Sequence, residues 1–270
     1  MAITISYQPK TTIPVEVEGV TPCACRELSL HEIQKLTIYI GNEEQQFGDV
    51  FDVSGSASDE SWTWQGDLSG VHWLGANMTS GSIRVEGSIG RHLGSTMSGG
   101  DITVTGDASD WVGAEMQGGQ ILVQGRAGHQ VGAAYRGSPV GMSGGAILIQ
   151  GAAGNEIGHT MRRGLIAIGG NAGDLIGFNM LAGTILVFGD AGIRHGAGMT
   201  RGTIGLLGTP VEMLPTFRAG VTFRPPMLPM LFQRLKAGGF AIPESFDADA
   251  LRIYHGDLLE GGRGEIFMTA

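Results

Sequence analysis

Short stretches of alternating apolar residues recur through the middle of the chain, and each is bracketed by glycines. In every stretch two aliphatic residues are separated by one position, and a glycine lies two residues before and two residues after the pair. The pairs are Ile83/Val85, Ile102/Val104, Ile121/Val123, Ile147/Ile149, Ile166/Ile168, Ile185/Val187 and Ile204/Leu206. This alternation predicts short β-strands with one buried face. The glycines permit the tight corners that must separate such strands.

The stretches recur with a 19-residue period, and one position of each unit is marked by methionine. The markers form two series, Met78, Met97, Met116 and Tyr135, then Met142, Met161, Met180 and Met199. A seven-residue insertion, Arg136 to Met142, separates the two series. One unit per turn predicts an all-β fold, a right-handed parallel β-helix of 19-residue coils stacked about 4.8 Å apart. We expect the methionines to form an interior column that fills irregular space.

The regular units divide the chain into three predicted parts. Residues 1–60 form an acidic N-terminal cap with short strands, residues 61–208 form the parallel β-helix, and residues 209–270 form a C-terminal extension without a period. Six of the ten prolines lie in residues 210–243. This proline-rich tail is apolar and should lie along another surface, either its own barrel or a partner. Pro229 to Ala237 predicts a short helix that ends at the following glycines.

Composition and charge limit the classes of partner. The repeat accounts for the high glycine content, and the net charge of −9 comes mainly from residues 1–60, which hold ten acidic and three basic residues. This charge disfavours nucleic acid and anionic membranes as partners. Neither a signal sequence nor a membrane-spanning stretch is evident, and Cys23 and Cys25 are too close in sequence for an unstrained disulfide. We expect a cytoplasmic protein with two reduced thiols.

Residues that could carry chemistry are scattered. His92, His129, His159 and His195 occupy four different positions of the repeat, so no shared metal ligation is expected. Asp107, Asp174 and Asp190 lie near glycine corners, where aspartate commonly satisfies turn backbone. Arg162, Arg163 and Arg201 could receive an anionic ligand or a partner's carboxylates, or form a solvated face. We predict no catalytic residue and no metal site in this chain, and the pattern identifies no cofactor-binding residue.

Two segments are candidates for binding a partner. The insertion is the one place where the repeat extends a loop, and loops on rigid repeats are usual docking points. It contributes Arg136 and Pro139. The apolar tail would be costly to leave in water, and it contributes Phe217, Phe223 and Phe232.

The repeat, the insertion and the C-terminal stretch together resemble a known family. The insertion reads Tyr135-Arg-Gly-Ser-Pro-Val-Gly-Met142, and the C-terminal stretch reads Gly256-Asp-Leu-Leu-Glu-Gly-Gly-Arg-Gly-Glu265. These features resemble the C subunit of formylmethanofuran dehydrogenase, and the coils also resemble the C-terminal glycine-repeat domain of glutamate synthase. The resemblance to the C subunits covers nearly the whole chain. The excess of arginine over lysine favours the related formyltransferase/hydrolase complex of methylotrophic bacteria.

The resemblance implies a non-catalytic structural subunit of an enzyme complex in one-carbon metabolism. That complex converts formyl-tetrahydromethanopterin, through a formyl-methanofuran-type carrier, to formate during formaldehyde oxidation. The expected partners are a formyltransferase-like subunit, an amidohydrolase-like subunit and a further subunit, and zinc and the formyl carrier are expected on those partners. Two alternatives stay open. The chain could be the C subunit of a molybdenum or tungsten formylmethanofuran dehydrogenase, or a stand-alone β-helix enzyme.

Overall fold

The computed structural model describes residues 3–8, 11–56, 59–243 and 250–269 and is built mainly of β-strands. One mostly parallel sheet contains 13 of the described strands and a second sheet contains four. The strands are β1 Ile3–Tyr7, β2 Val15–Glu16, β3 Thr37–Ile40, β4 Glu43–Gln46, β5 Asp52–Ser54, β6 Ser61–Gly66, β7 Val71–His72, β8 Ser82–Glu86, β9 Asp101–Val104, β10 Gln120–Val123, β11 Ala146–Ile149, β12 Leu165–Ile168, β13 Thr184–Val187, β14 Arg201–Leu206, β15 Arg218–Phe223, β16 Leu251–Gly256 and β17 Arg263–Thr269. The helices are α1 Leu30–Gln34, α2 Phe47–Val50 and α3 Leu228–Ala237, with a 3₁₀ turn at Leu258–Glu260.

The middle of the large sheet is a ladder of strands from successive repeat units. Strands β8 to β14 pair in parallel with their neighbours in sequence, so that Ile83, Ile102 and Ile121 occupy one register position. Paired residues lie one repeat unit apart, except between β10 and β11, where Ile121 pairs with Ile147 across the insertion. The strand pattern predicted from the sequence is therefore confirmed.

Behind one face of this ladder, buried side chains of successive units stack in columns and form the core. All seven marker methionines, from Met78 to Met199, are fully buried, and so are the alternate aliphatic residues of the strands. The glycines between the strands allow the close packing. At Gly94 the backbone has φ +61°, and a Cβ atom there would lie 2.6 Å from Cδ1 of Ile121. The interior methionine column predicted from the repeat is confirmed.

Tyr135 does not belong to that column, which corrects its assignment as a marker. The register of β10 on β11 places Met142 directly after Met116, and Met142 is fully buried. The extra residues therefore run from Tyr135 to Gly141. Tyr135 points outward because its ring and hydroxyl find partners on the neighbouring units, as described below.

The N-terminal residues extend the large sheet at one end. Strand β1 adds to the large sheet in parallel beside β6, and β5 pairs with β1 antiparallel. Phe47, Phe51 and Trp64 pack together, with the Phe47 and Phe51 rings stacked 4.7 Å apart and the Trp64 ring edge-on to both. The acidic segment thus contributes strands and an aromatic cluster, and none of its charged residues that the structure describes is buried.

The C-terminal residues extend the large sheet at the other end and pack on its outer face. Strand β17 pairs in parallel with β14, so that Gly264, Ile266 and Met268 continue the positions of Gly202, Ile204 and Leu206. This stretch thus supplies one further strand with the spacing of β14, which the sequence analysis did not predict. Strands β16 and β15 then extend the sheet antiparallel.

The proline-rich tail lies on the chain's own sheet. Helix α3 ends at Gly238, as predicted, and its Leu228 and Leu235 join a second apolar cluster with the outward residues Leu148 and Leu186. Gln150 fixes the segment after the helix by two hydrogen bonds with the backbone of Ala241, at 2.7 and 2.9 Å. Among the described residues, no helix is long and apolar enough to span a membrane.

Candidate functional site at the inserted loop

Three aromatic rings are stacked along one turn edge of the repeat, next to the insertion. Trp73, His92 and Trp111 occupy the same position of three successive units and all adopt the left-handed backbone region, with φ between 63° and 67°. That position therefore projects a ring in the same direction from each unit. The Trp73 and His92 rings are parallel with centroids 4.1 Å apart, and Trp111 follows 6.2 Å from His92. All three rings are half-buried.

The inserted loop folds back onto this stack through Tyr135. Its ring stacks on Trp111 with centroids 4.9 Å apart, and its hydroxyl is hydrogen-bonded to Nδ1 of His92 at 2.8 Å and to Ser95 at 2.7 Å. Its backbone N–H donates to Glu115 at 3.0 Å. These contacts anchor the first residue of the loop, so the loop begins from a fixed point.

The hydrogen-bonded groups of the stack are electrically neutral near neutral pH. Burial, assisted by the positive charges of nearby groups, lowers the pKa of His92 to about 4. Burial likewise raises the pKa of Tyr135 to about 12. Nδ1 of the neutral imidazole can therefore accept the hydrogen bond of the Tyr135 hydroxyl, which in turn can accept one from Ser95.

A surface depression of about 560 Å³ opens beside the loop. Trp111 and Tyr135 form an aromatic wall, and His159, whose ring stacks on Phe178 at 5.2 Å, lies at another side. Charged and amide groups of the lining include Arg136 and Glu156, and Gln130 donates a hydrogen bond to Glu156 at 3.0 Å. Aromatic faces with a few polar groups suit recognition of a partly apolar, partly polar partner group.

This arrangement is better suited to recognition than to catalysis. Ser95, His92 and Tyr135 form a connected series, but Ser95 is fully buried, so its hydroxyl cannot reach a substrate. The described residues contain no group of three or more histidine, cysteine, aspartate or glutamate side chains that could hold a metal ion. His195 is buried among the apolar residues, with Nδ1 accepting the Ile176 N–H at 3.3 Å.

The aspartates near the corners have the structural role that the sequence predicts. Each carboxylate accepts the backbone N–H of the equivalent residue in the next unit. Asp107 accepts from Arg126 at 2.7 Å, Asp174 from Ile193 at 3.0 Å and Asp190 from Thr209 at 3.0 Å. The aspartates therefore have a structural role, but each bond joins a corner to the next unit instead of closing the aspartate's own turn.

The five predicted partner-binding residues lie in two separate places. Arg136 and Pro139 are in the inserted loop, where Arg136 is exposed and lines the depression. Phe217, Phe223 and Phe232 lie at the C-terminal end and contact the chain itself. Phe217 is 8% exposed, Phe223 is edge-on to Phe267 and Phe232 lies beside Phe188. Contact of these five residues with a partner stays a prediction.

Sequence reasoning missed the aromatic stack, although a signal for it exists. Trp73, His92 and Trp111 share the repeat period, but a histidine among them suggests metal binding before it suggests stacking. Tyr135 was missed because its spacing from Met116 coincides with the marker period.

Comparisons with known proteins agree with this architecture. A model of the GXGXG motif family matches residues 71–215. A chain of the crystal structure of the formyltransferase/hydrolase complex (FhcABCD) from Methylorubrum extorquens, in complex with methylofuran, superposes with a TM-score of 0.90. It is 36% identical, and the match covers 99% of both chains.

Curated relatives match over shorter segments. The C subunit of the molybdenum-containing formylmethanofuran dehydrogenase 1 of Methanothermobacter marburgensis is 43% identical over 82 residues, 30% of this chain and 20% of the relative. The Fhc C subunit of the formyltransferase/hydrolase complex of Methylorubrum extorquens is 40% identical over 79 residues, 29% of each chain. The matches thus span a fifth to less than a third of these two relatives. The GXGXG motif model matches more than half of this chain, and the chain therefore belongs to the GXGXG motif family.

Proposed function

We propose that this chain is the structural C subunit of a formyltransferase/hydrolase complex and holds catalytic subunits in position. The observation that carries the proposal is the full-length match to a chain of the FhcABCD complex, at 36% identity over 99% of both chains. In this role the complex converts formyl-tetrahydromethanopterin to formate through a formyl-methanofuran-type carrier.

The architecture proposed for this subunit is a right-handed parallel β-helix of 19-residue coils. Parallel ladders offset by one repeat unit support it, together with isolated bridges such as Ala153 to Ala172 and Ala172 to Ala191 on a second side of the coil. Connections between parallel strands are almost always right-handed, which favours that hand. Residues 1–60 would cap one end, and residues 209–270 would cap the other and face partners.

Docking is proposed to use the inserted loop. Arg136 and Pro139 lie next to an aromatic wall that is already ordered, so binding would require little additional ordering of the chain. The exposed surface around Phe217, Phe223 and Phe232 would form a second contact with the partner subunits. A formyltransferase-like subunit, an amidohydrolase-like subunit and a further subunit are the proposed partners.

The chemistry of the reaction is proposed to reside on the partners. The solved relative was crystallised as a complex with methylofuran, and a carrier of this type would move between catalytic partner subunits. Zinc would be bound by the amidohydrolase-like partner. A cytoplasmic location fits two cysteines that are both free.

The test is native purification of the tagged chain from its source organism, followed by mass spectrometry of the co-purifying subunits and assay of formyl transfer. Recovery of formyltransferase-like and amidohydrolase-like subunits with activity is expected. An Arg136→Glu, Pro139→Gly variant should recover less of at least one partner. Arg84→Glu on β8 is the matched control, because Arg84 is exposed and lies far from the insertion in sequence.

A second candidate is the C subunit of a formylmethanofuran dehydrogenase, which several of the curated relatives are named for. Recovery of molybdenum or tungsten and iron–sulfur subunits would establish it. Turnover by the isolated chain alone would instead establish a stand-alone enzyme and contradict the structural role.

A further inference from the structure

Three exposed arginines occupy one register position near the C-terminal end of the large sheet, and Ala182 holds that position between the first and second of them. Arg201 on β14 pairs directly with Arg263 on β17. By the register of β12, β13 and β14, Arg163 occupies the same position two strands earlier. We call Arg163, Arg201 and Arg263 the arginine column. Arg162 lies beside it and is also exposed.

The column lacks acidic partners, unlike other arginines of the repeat. Arg126 contacts Asp107 at 2.9 Å and Arg91 contacts Asp110 at 3.4 Å, and in both cases the acid lies one unit away. Across the part of the chain that the structure describes, no carboxylate forms an ion pair with the guanidinium groups of the column. The nearest acid in the strand pattern is Glu265, two residues after Arg263 and opposite His255.

This arrangement is unfavourable for the isolated chain. Like charges directly opposite on neighbouring strands are destabilising, so the pairing of Arg201 with Arg263 opposes folding. The chain has a net charge of −9 and could neutralise this pair with one of its many acidic residues, as it does for Arg126. An uncompensated basic column on an acidic protein therefore indicates a function outside the isolated chain.

The length of the arginine column indicates which kind of ligand could contact all three arginines. Adjacent strands are about 4.8 Å apart, so three spacings place Arg163 and Arg263 about 14 Å apart. A single phosphate or carboxylate is too small to reach both ends. An extended peptide rises about 3.3 Å per residue, so four or five residues cover that distance. Arginine binds carboxylates in a bidentate manner, which favours Asp and Glu side chains.

We infer that the arginine column binds an extended acidic segment of a partner subunit. The inference rests on the proposed function, because it requires the assembled complex. The acidic segment replaces the missing intrachain carboxylates, and it relieves the repulsion between Arg201 and Arg263 when the subunits associate. Arg201 and Arg263 lie in the last unit and in the C-terminal strand, away from the inserted loop in the strand order. Arg163 lies nearer to the loop, since its N–H donates to the carbonyl of Met142 at 3.3 Å.

The test uses the complex co-expressed from its source genes with this chain either wild type or Arg201→Glu, Arg263→Glu. Charge reversal should raise the dissociation constant at least about tenfold, because like charges across an interface are repulsive. Arg84→Glu on β8 is the matched control and should leave the dissociation constant unchanged, because Arg84 is exposed and lies outside both proposed binding surfaces. In the isolated chain, Arg263→Gln should leave the melting temperature unchanged or raise it, because repulsion is removed.

A second measurement identifies the acidic segment directly. In the complex carrying Arg201→Lys, a zero-length carbodiimide should join the introduced amine to Asp or Glu of a partner subunit, as detected by mass spectrometry. Arg84→Lys on β8 should give no link to a partner subunit. Links to a second copy of this chain, or unchanged affinity after charge reversal with no links, would overturn the inference while leaving the proposed function intact. Failure of the wild-type chain to assemble would overturn both.

Discussion

The interior column and the turn edge use the same repeat period for opposite purposes. In the interior the same residue type recurs in each unit, as in Met97, Met116 and Met161, and all are fully buried. At the turn edge the position of Trp73 is occupied in later units by His92, Trp111, Gln130 and Glu156, all in the left-handed region. The backbone repeats at both places, but the side chains repeat only where they pack against copies of themselves.

The fold restricts the residue type at interior positions, whereas it tolerates different residue types at turn-edge positions. An interior position is constrained by the unit above and the unit below, so a change in volume disturbs two contacts. A turn-edge position needs only the left-handed backbone, and its side chain stays partly exposed. Variation along a column that is otherwise periodic therefore marks the surfaces available for recognition.

A substitution in the interior methionine column should lower the free energy of unfolding more than one at the turn edge. Met161→Ala leaves a cavity between two units and is expected to lower the free energy of unfolding by about 2–5 kcal/mol. Met230→Ala is the control, because Met230 is 66% exposed on α3, and its effect should stay within about 0.5 kcal/mol. Urea denaturation of the isolated chain measures both. Equal effects would contradict the assignment of Met161 to a packed column.

Lowering the pH should reduce the stability of the protein through His92 at the turn edge, by less than the Met161→Ala substitution does. Burial holds the pKa of His92 at about 4, below its ordinary value of 6.5, so the unfolded chain binds the proton more readily. The contribution of this group to stability is present above about pH 6.5 and is lost as the pH falls towards about 4. His92→Phe keeps a ring against Trp73 and should show a shallower loss over this window than the wild type.

Denaturation midpoints between pH 7 and 4 measure this difference. His72 and His195 also have lowered pKa values through burial, so the comparison with His92→Phe isolates the contribution of His92. Parallel pH profiles for the two proteins would show that the ring does not titrate as a buried group.

The corner hydrogen bonds should give the smallest effect. Asp174→Ala removes the acceptor of the Ile193 N–H and is expected to cost about 1 kcal/mol. Asp174→Asn retains a carbonyl oxygen at the same place and should be close to neutral. Urea denaturation compares the two, and a large cost for the asparagine variant would indicate that the charge, rather than the hydrogen bond, is important.

Features that depend on the period were predictable from the sequence, and features that depend on one long-range contact were not. The strands and the interior position of Met97 follow from spacing alone. Tyr135 was misassigned because spacing does not show that hydrogen bonds to His92 and Ser95 turn its ring outward. Strand β17 repeats the glycine and isoleucine spacing of β14, but it was missed because β14 lies far before it in the chain instead of in the preceding unit.

The pairing of β17 with β14 has a consequence for growth of the structure. A parallel stack has no intrinsic length, and its last strand presents a template on which another chain could continue. Here the polypeptide leaves the stack after β14, covers the outer face with α3 and returns to occupy the template itself. The antiparallel strands β16 and β15 then change the pattern of hydrogen bonds at the boundary. The chain's own strand β17 thereby fills the edge of β14 on which the parallel stack would otherwise continue.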